Sequence, residues 1–211
     1  MSASTRRWAL PAADSYFAPL LTDEGFQIDH LRTALRYVRA WRTAVDGGAH
    51  VGTWTCLMAR MFERVVAFEP AEDTFECLFK NTRSLSNVVR LKGALGAAPS
   101  MASMLDDPQR PGNTGARYLG PGNDVEVIRL DDLELDDVDF IKLDVEGAEL
   151  HALQGMEATL RRCKPVVCIE EKHFGGRFGG RGGAALEFLR ALGATEAEVI
   201  GKDHVFRFDD A

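Results

Sequence analysis

The sequence predicts an α/β fold: a doubly wound, mostly parallel sheet of seven strands that ends in an antiparallel hairpin. Short apolar runs alternate with amphipathic stretches along the 211 residues, which is typical of parallel strands joined by crossover helices. Glycine-rich or acidic segments follow several runs, as expected where strands end at a ligand site. Two further runs, 197–200 and 204–208, flank Gly201-Lys202-Asp203 and predict the hairpin.

Five apolar runs predict the core strands, and they cover 43–46, 64–68, 87–92, 138–144 and 165–170. Residues 125–130 predict an accessory strand. Apolar spacing of three and four residues predicts helices over 27–40, 53–62, 71–83, 147–162 and 184–192. The stretch 147–162 carries one unbroken apolar stripe, so we expect a single helix there.

Length predicts one domain over residues 1–211. In this scheme a helical segment, 1–42, precedes a core over 43–211. Residues 97–124 hold four prolines and four glycines, which predicts a loop inserted into that core. A long loop inside a compact domain usually acts as a lid or substrate loop; a plain surface insertion is the alternative.

Composition excludes several classes of protein. Apolar residues make up 45% of the chain, and no apolar run approaches the ~18 residues of a membrane span. The net charge of −7 repels phosphate, so we expect neither membrane association nor a stable nucleic-acid complex. Arg6-Arg7 faintly resembles an export signal, but the apolar stretch 8–13 is too short for one. The four cysteines form no CxxC motif and fit a reducing, cytoplasmic compartment.

The first core strand ends in a glycine-rich turn, Asp46-Gly47-Gly48-Ala49-His50-Val51-Gly52-Thr53. Glycines let a backbone turn tightly and approach a ligand. Glu69-Pro70 follows the second strand, 69 − 46 = 23 positions after Asp46. An acidic residue at about this spacing accepts hydrogen bonds from ribose hydroxyls. The pattern therefore predicts a nucleoside-containing cofactor.

Asp46 bears on which cofactor binds. A carboxylate directly before the glycines would repel a pyrophosphate and would suit a cationic ligand. S-adenosylmethionine carries an ammonium and a sulfonium and no phosphate. We therefore expect S-adenosylmethionine, with an NAD(P) dinucleotide as the alternative.

Ionisable residues cluster at the ends of the fourth and fifth strands. Lys142 and Asp144 share one face of a strand that helices should cover on both sides. Charged residues buried in this way are usually paired or functional. Glu146 follows them, and Glu170-Glu171-Lys172-His173 ends the next strand. Such a cluster favours shifted pKa values and catalysis, although a structural ion-pair network has the same pattern. The following Gly/Arg-rich segment, 175–183, is interpreted as a substrate-gating loop or a linker.

Several of these motifs together resemble the FkbM-type S-adenosylmethionine-dependent methyltransferases. The resemblance spans residues 43–172 and rests on the glycine turn and on four further motifs: Ala67-Phe68-Glu69-Pro70, Ala94-Leu95-Gly96, Leu130-Asp131-Asp132-Leu133 and Ile141-Lys142-Leu143-Asp144-Val145-Glu146-Gly147-Ala148-Glu149. It implies a Rossmann-like class I methyltransferase fold and methyl transfer to a hydroxyl oxygen of a sugar or small natural product. His50 departs from the family pattern, which often has Asn or Gly there.

The resemblance also implies roles for individual residues. The glycine turn would hold the methionine part of the cofactor, Glu69 its ribose, and Ala94 and Leu95 would flank its adenine. The cofactor-binding set expected in this way is Asp46, Gly48, Ala49, His50, Gly52, Thr53, Glu69, Pro70, Ala94, Leu95 and Asp144.

An alcohol acceptor needs a base within hydrogen-bond reach, in addition to alignment with the methyl donor. We expect Asp144 and Glu146 nearest the reacting centre, with Glu170 and Lys172 shaping the acceptor side. Asp144 and Glu170 could instead hold Mg²⁺, but we expect no metal. Three alternatives stay open: an NAD(P)-dependent oxidoreductase, a nucleic-acid-binding module, and a methyltransferase acting on a nucleic-acid or nucleotide acceptor.

Overall fold

A computed structural model describes residues 8–22, 25–170 and 182–209. Ten strands occupy Thr43–Gly47 (β1), Arg64–Phe68 (β2), Val88–Leu91 (β3), Ala94–Leu95 (β4), Ser100–Leu105 (β5), Tyr118–Ile128 (β6), Val138–Leu143 (β7), Val166–Glu170 (β8), Ala194–Ile200 (β9) and Asp203–Phe208 (β10). Six α-helices occupy Ile28–Leu35 (α1), Thr53–Met58 (α2), Glu72–Thr82 (α3), Glu149–Gln154 (α4), Glu157–Cys163 (α5) and Ala184–Ala191 (α6). Across these ranges, no helix combines the length and apolarity that a bilayer crossing requires.

The central sheet has seven strands in the order β3-β2-β1-β7-β8-β10-β9. Its strands run parallel except β10, which pairs antiparallel with both β8 and β9. The predicted fold class is therefore confirmed. Strand order reverses between β1 and β7, so the crevice above their carboxyl ends is the position where such sheets bind ligands.

Helices cover both faces of the central sheet, which explains why β1 is buried along its whole length. On one face, Val45 and Ile141 pack with Leu153 of α4 and Leu189 of α6. On the other face, a second apolar cluster joins β1, β7 and β8 to α1, α2 and α3. Two buried layers hold the strand ends, and hence the crevice, in a fixed arrangement.

The loop predicted over 97–124 is wrong, because this segment contains all of β5 and most of β6. The two strands pair antiparallel in a small second sheet of order β4-β6-β5. Its glycines are strand residues that make room for facing side chains: a Cβ on Gly120 would lie 2.3 Å from Leu105 Cδ1, and one on Gly122 would lie 1.7 Å from Ser103 Oγ. Pro121 falls in the register shift between Ala102 and Ser103, where no ladder hydrogen bond is required of it.

The single helix predicted over 147–162 is also wrong, because the structure has two helices there, α4 and α5. The helix is interrupted at Gly155. A Cβ added at this residue would lie 1.9 Å from the carbonyl oxygen of Gly96. The Asp131 carboxylate caps the start of α5 from outside the helix. It accepts hydrogen bonds from the backbone amides of Ala158 and Thr159 and from the Thr159 hydroxyl. The apolar stripe continues through the break, which is why periodicity alone does not reveal it.

Candidate functional site

A cavity of about 300 Å³ lies above the carboxyl ends of β1, β2, β7 and β8. The central sheet supplies its floor, and the chain before α1 and the β5–β6 hairpin contribute the opposite wall. Ligand pockets at a topological switch point have this position and are of this size or larger. The cavity is therefore the candidate site.

The glycine turn forms one wall because its backbone lies unusually close to the neighbouring strand end. Gly48 has φ +76°, and a Cβ there would lie 1.9 Å from the carbonyl oxygen of Asp144. Its amide and that of Ala49 both donate to Phe68 O, at 3.1 and 2.9 Å. Gly52, in contrast, packs against Leu78 of α3 and does not line the cavity.

Glu69 lies at the end of β2, where donors from the chain hold its carboxylate. Oε2 accepts from the backbone amide of His50 at 2.8 Å, and Oε1 accepts from the amide of Ala71 and the hydroxyl of Thr74 at 3.1 and 2.7 Å. Burial raises the pKa of Glu69, and these hydrogen bonds oppose the rise. Each carboxylate oxygen has two acceptor positions, so the group can still accept a ligand hydroxyl.

His50 has a left-handed backbone conformation, with φ +51°, and its ring forms part of the wall. The ring packs edge-on against Phe17 at 4.7 Å between centroids, and Nε2 lies 2.8 Å from Thr114 Oγ1. Burial lowers its pKa to about 4. The imidazole is therefore neutral at pH 7 and acts as a polar wall residue without charge.

Asp46 lies behind the cavity wall, where it is fully buried. Oδ2 accepts a hydrogen bond from Thr55 Oγ1 at 2.5 Å, and Oδ1 lies 3.5 Å from Lys142 Nζ. Lys142 also donates to the carbonyl oxygen of Gly48 at 2.6 Å. The carboxylate expected to face a cationic ligand thus faces the ammonium of Lys142. Its charge is therefore compensated within the protein and no longer favours a cationic cofactor over a pyrophosphate.

Lys142 is the cation at the centre of this site. Burial disfavours its charged form, but the carboxylates of Asp46, Asp144, Glu170 and Asp203 outweigh that effect and raise its pKa. The ammonium therefore stays protonated at neutral pH. A structural role in holding the glycine turn against β7 agrees with its contacts.

Carboxylates gather on the cavity side opposite Glu69. Asp144, Glu146 and Glu170 line it, together with Asp203 at the start of β10. Glu146 is buried and has φ +52°, a conformation uncommon for residues other than glycine. Burial raises the pKa of Asp203, whose Oδ2 lies 2.5 Å from His30 Nδ1.

Most residues predicted for the site line the cavity. Those lining it are Gly48, Ala49, His50, Thr53, Glu69, Pro70, Ala94, Leu95, Asp144, Glu146 and Glu170. Asp46 and Gly52 lie behind the wall, and Lys172 lies outside the described residues, as do His173 and most of the Gly/Arg-rich segment. Within the part of the chain that is described, no group of three or more His, Cys, Asp or Glu residues could hold a metal ion.

Sequence reasoning missed the cavity residues that do not lie at the ends of the predicted core strands. They include Tyr16, Phe17, Phe26 and Gln27 from the N-terminal region, Met104, Arg110, Asn113, Thr114, Arg117 and Tyr118 from the insertion, and Lys202 and Asp203 from the hairpin. The Asp14 carboxylate joins the first two groups by accepting from the backbone and hydroxyl of Thr114. Only the position of the insertion hinted at this role, since strand-end motifs say nothing of distant segments.

Solved structures resemble the whole fold. Methyltransferase FkbM from Methylobacillus flagellatus superposes with a TM-score of 0.52 at 21% identity, over 82% of this chain and 45% of that one. Precorrin-6y C5,15-methyltransferase from Geobacter metallireducens gives 0.51 at 18% identity, over 97% and 100%. Fibrillarin from Aeropyrum pernix, solved with S-adenosyl-L-methionine bound, gives 0.50 at 12% identity, over 86% and 73%. At such low identities these likenesses establish the class I methyltransferase fold alone.

Curated relatives resemble part of the sequence. Hexuronic acid methyltransferase AglP of Haloferax volcanii is 30% identical over 127 residues, which is 58% of this chain and 53% of the relative. Methyltransferase 1 of Beauveria bassiana is 29% identical over 143 residues, which is 54% of this chain and 57% of the relative. The chain thus spans a little over half the length of these relatives.

The family assignment rests on a longer match. The methyltransferase FkbM domain matches residues 46–196, a range that contains the glycine turn, Glu69 and the acidic strand ends. This is more than half of the chain, and it confirms the resemblance found in the motifs. The protein therefore belongs to the FkbM methyltransferase domain family.

Proposed function

We propose that this protein transfers a methyl group from S-adenosylmethionine to a hydroxyl oxygen of a saccharide or small natural product. One observation carries the proposal: a single cavity has the glycine turn and Glu69 on one side and Asp144, Glu146 and Glu170 on the other. The first side suits a nucleoside with an amino-acid tail. The second side offers carboxylates where an acceptor would meet it.

The residues of the first side fit S-adenosylmethionine. Gly48 and Ala49 bring backbone close to the ligand, Glu69 is oriented to accept ribose hydroxyls, and Ala94 and Leu95 offer apolar surface to an adenine. Five carboxylates and four cationic side chains line the described part of the cavity, a balance compatible with a cationic ligand. When bound, the cofactor supplies a methyl group activated by its sulfonium.

The residues of the second side would handle the acceptor. Asp144 follows β7 directly, and its amide donates to Gly47 O at 3.1 Å, which holds it beside the glycine turn. A carboxylate there can orient a hydroxyl and accept its proton as the oxygen is methylated. Glu146 and Glu170 extend this acidic surface. We assign Asp144 and Glu146 to the reacting centre, and Glu170 and Lys172, two residues further along the sequence, to the acceptor side.

The side chains at the cavity bear on the class of acceptor that would bind there. The relative in Haloferax volcanii is named for a hexuronic acid. Aromatic and cationic side chains at the cavity, including Tyr16, Tyr118 and Arg110, are residue types that bind acidic sugars. Uronic-acid glycosides are therefore the first acceptors to test.

The experiment measures transfer of labelled methyl groups from S-adenosylmethionine to a panel of uronic-acid and neutral glycosides. Asp144→Ala should lower turnover at least about 100-fold, the usual contribution of a general base, with S-adenosylhomocysteine affinity nearly unchanged. Asp139→Asn is the matched control, because Asp139 lies near the start of β7, the strand that Asp144 follows, and pairs with Arg42. Turnover unaffected by Asp144→Ala would remove Asp144 from catalysis. Transfer to an RNA or nucleotide, with none to any glycoside, would overturn the acceptor class.

A further inference from the structure

Three segments distant in sequence meet at one hydrogen-bonded chain beside the cavity. Thr114 Oγ1 lies 2.5 Å from Asp14 Oδ2 and 2.8 Å from His50 Nε2. Asp14 belongs to the N-terminal region, His50 to the glycine turn and Thr114 to the insertion. The chain therefore connects both outer segments to the cofactor side of the site.

The direction of these hydrogen bonds follows from the number of available protons. Burial acts to raise the pKa of Asp14, but hydrogen bonds from Thr114 and from the amide of Phe17 outweigh it and lower that pKa, so the group is an ionised acceptor. The single hydroxyl proton of Thr114 therefore goes to Asp14. The Thr114 oxygen must then accept from His50, which places the imidazole proton on Nε2 and leaves Nδ1 a bare acceptor.

The Nδ1 atom has no hydrogen-bond partner among the described residues, and His50 lines the cavity. The backbone amide of His50 donates a hydrogen bond to Glu69, the expected ribose acceptor. The charges of Lys142 and Asp144 also act on the pKa of its ring. The imidazole thus belongs to the ribose side of the cavity, because the backbone amide of the same residue holds Glu69. A donor on the cofactor would find an acceptor there.

We propose that His50 Nδ1 accepts a hydrogen bond from the cofactor, and that Thr114 and Asp14 are positioning residues that hold His50 in the required tautomer. This inference rests on the proposed function and adds residues that the family motifs do not contain. The cofactor offers three kinds of donor of suitable chemistry: the ribose hydroxyls, the adenine amino group and the amino-acid ammonium. A neutral ring accepts from any of these without repelling the sulfonium.

The test compares Thr114→Val with Thr114→Ser by calorimetric titration with S-adenosylhomocysteine. Loss of the hydroxyl should weaken binding about 3- to 10-fold, as expected for one net hydrogen bond, and Thr114→Ser should restore it. Thr159→Val is the matched control, because Thr159 is also buried and also donates its hydroxyl to a carboxylate, that of Asp131, away from the cavity. It should bind as tightly as wild type.

A second readout reports the tautomer itself. ¹⁵N chemical shifts of the His50 ring should show Nε2–H in wild type and Thr114→Ser, and a mixture of tautomers in Thr114→Val. A change in packing alone would not move this signal. If Thr114→Val fails to fold, His50→Phe retains an aromatic ring against Phe17 but removes Nδ1, and it should weaken binding by at least a comparable factor.

The donor is identified by repeating the titrations with 5′-methylthioadenosine, which has the ribose but no amino acid. A His50→Phe effect on both ligands assigns the donor to the nucleoside, and an effect on S-adenosylhomocysteine alone assigns the ammonium. If wild type binds neither ligand, the proposed function itself fails. If wild type binds S-adenosylhomocysteine and both variants bind it equally well, only the present inference fails.

Discussion

Lys142 compensates a carboxylate that the fold buries completely. Its ammonium lies 3.5 Å from Asp46 Oδ1, and the lysine side chain is only 11% exposed. Removing one partner of a buried pair leaves an uncompensated charge, which typically costs about 3–5 kcal/mol. We therefore expect Lys142→Met to lower the free energy of unfolding by about that amount in urea titrations.

The double variant Asp46→Asn/Lys142→Met tests the cause of this loss. If the buried charge is responsible, the double variant should be more stable than Lys142→Met alone, because it contains neither charge. Arg64→Met, at the exposed start of β2, controls for removing a cation from the sheet. A double variant less stable than Lys142→Met would contradict the ion-pair account.

The lowered pKa of His50 leads us to expect that the protein loses stability in mild acid. Its pKa falls from 6.5 to about 4 in the folded state because the ring is buried, so between these values the unfolded chain binds more protons. The free energy of unfolding contributed by this group should therefore decrease as pH falls from about 6.5 to about 4, by roughly 2–3 kcal/mol. Urea titrations at several pH values measure it.

His50→Asn isolates this effect from the titration of carboxylates in the same pH range. Asparagine tolerates the left-handed backbone of this position and has no titrating group. The difference in stability between wild type and variant should shrink or reverse as the pH falls. A difference that stays constant from pH 7 to pH 4 would show that the imidazole is not held neutral.

Single residues at the strand ends were largely predictable from the sequence, but their partners were not. Glu69 and Asp144 follow β2 and β7 directly, so their place at the cavity follows from the parallel sheet. Asp46 has the same sequence signal, yet the structure turns its carboxylate away from the cavity towards Thr55 and Lys142. Sequence position identifies the strand end and not the direction of a side chain.

At the scale of elements, the break between α4 and α5 consists of Gly155 and Met156. Gly155 has φ −77°, a conformation open to any residue, so only contact with Gly96 requires glycine there. We expect Gly155→Ala to destabilise the protein by more than about 2 kcal/mol, despite alanine's better helix propensity, because its Cβ would overlap a backbone oxygen. Thermal and urea unfolding measure the change.

Gly193→Ala provides the contrast for this prediction. Gly193 has φ +92°, but no atom lies within 4 Å of an added Cβ, so that variant should pay only the cost of backbone strain, about 1–2 kcal/mol. Gly155→Ala should therefore be the less stable of the two. The reverse order would mean that the two helices are not separated by the Gly96 contact.

The insertion shows why local signals misassigned some elements. Its prolines and glycines are typical of loops, yet Gly120, Pro121 and Gly122 occupy β6 positions where a facing side chain or a register shift accommodates them. The same residues that indicate a loop in isolation thus permit a strand in a packed sheet. Which meaning applies depends on β5, and a local pattern contains no information about that partner.

For the whole molecule, the alternation of strands and helices was enough to predict the central sheet and its crevice. The antiparallel hairpin was predicted from the two apolar runs around Gly201-Lys202-Asp203, whereas the order of the strands comes from the structure. The segments that cover the cavity could not be predicted in this way, because Phe17 and Thr114 come from segments without a strand-end motif. Contacts between distant segments depend on packing, which the local pattern does not encode.

The most direct test of the central claim is calorimetric titration with S-adenosylmethionine, NAD⁺ and NADP⁺. We expect S-adenosylmethionine alone to bind, with a Kd on the order of micromolar. Glu69→Gln should weaken that binding about 10-fold or more, since it removes a charged hydrogen-bond acceptor, while Glu72→Gln on exposed α3 surface should not. Binding of a nicotinamide dinucleotide in place of S-adenosylmethionine, or full affinity in Glu69→Gln, would contradict the account.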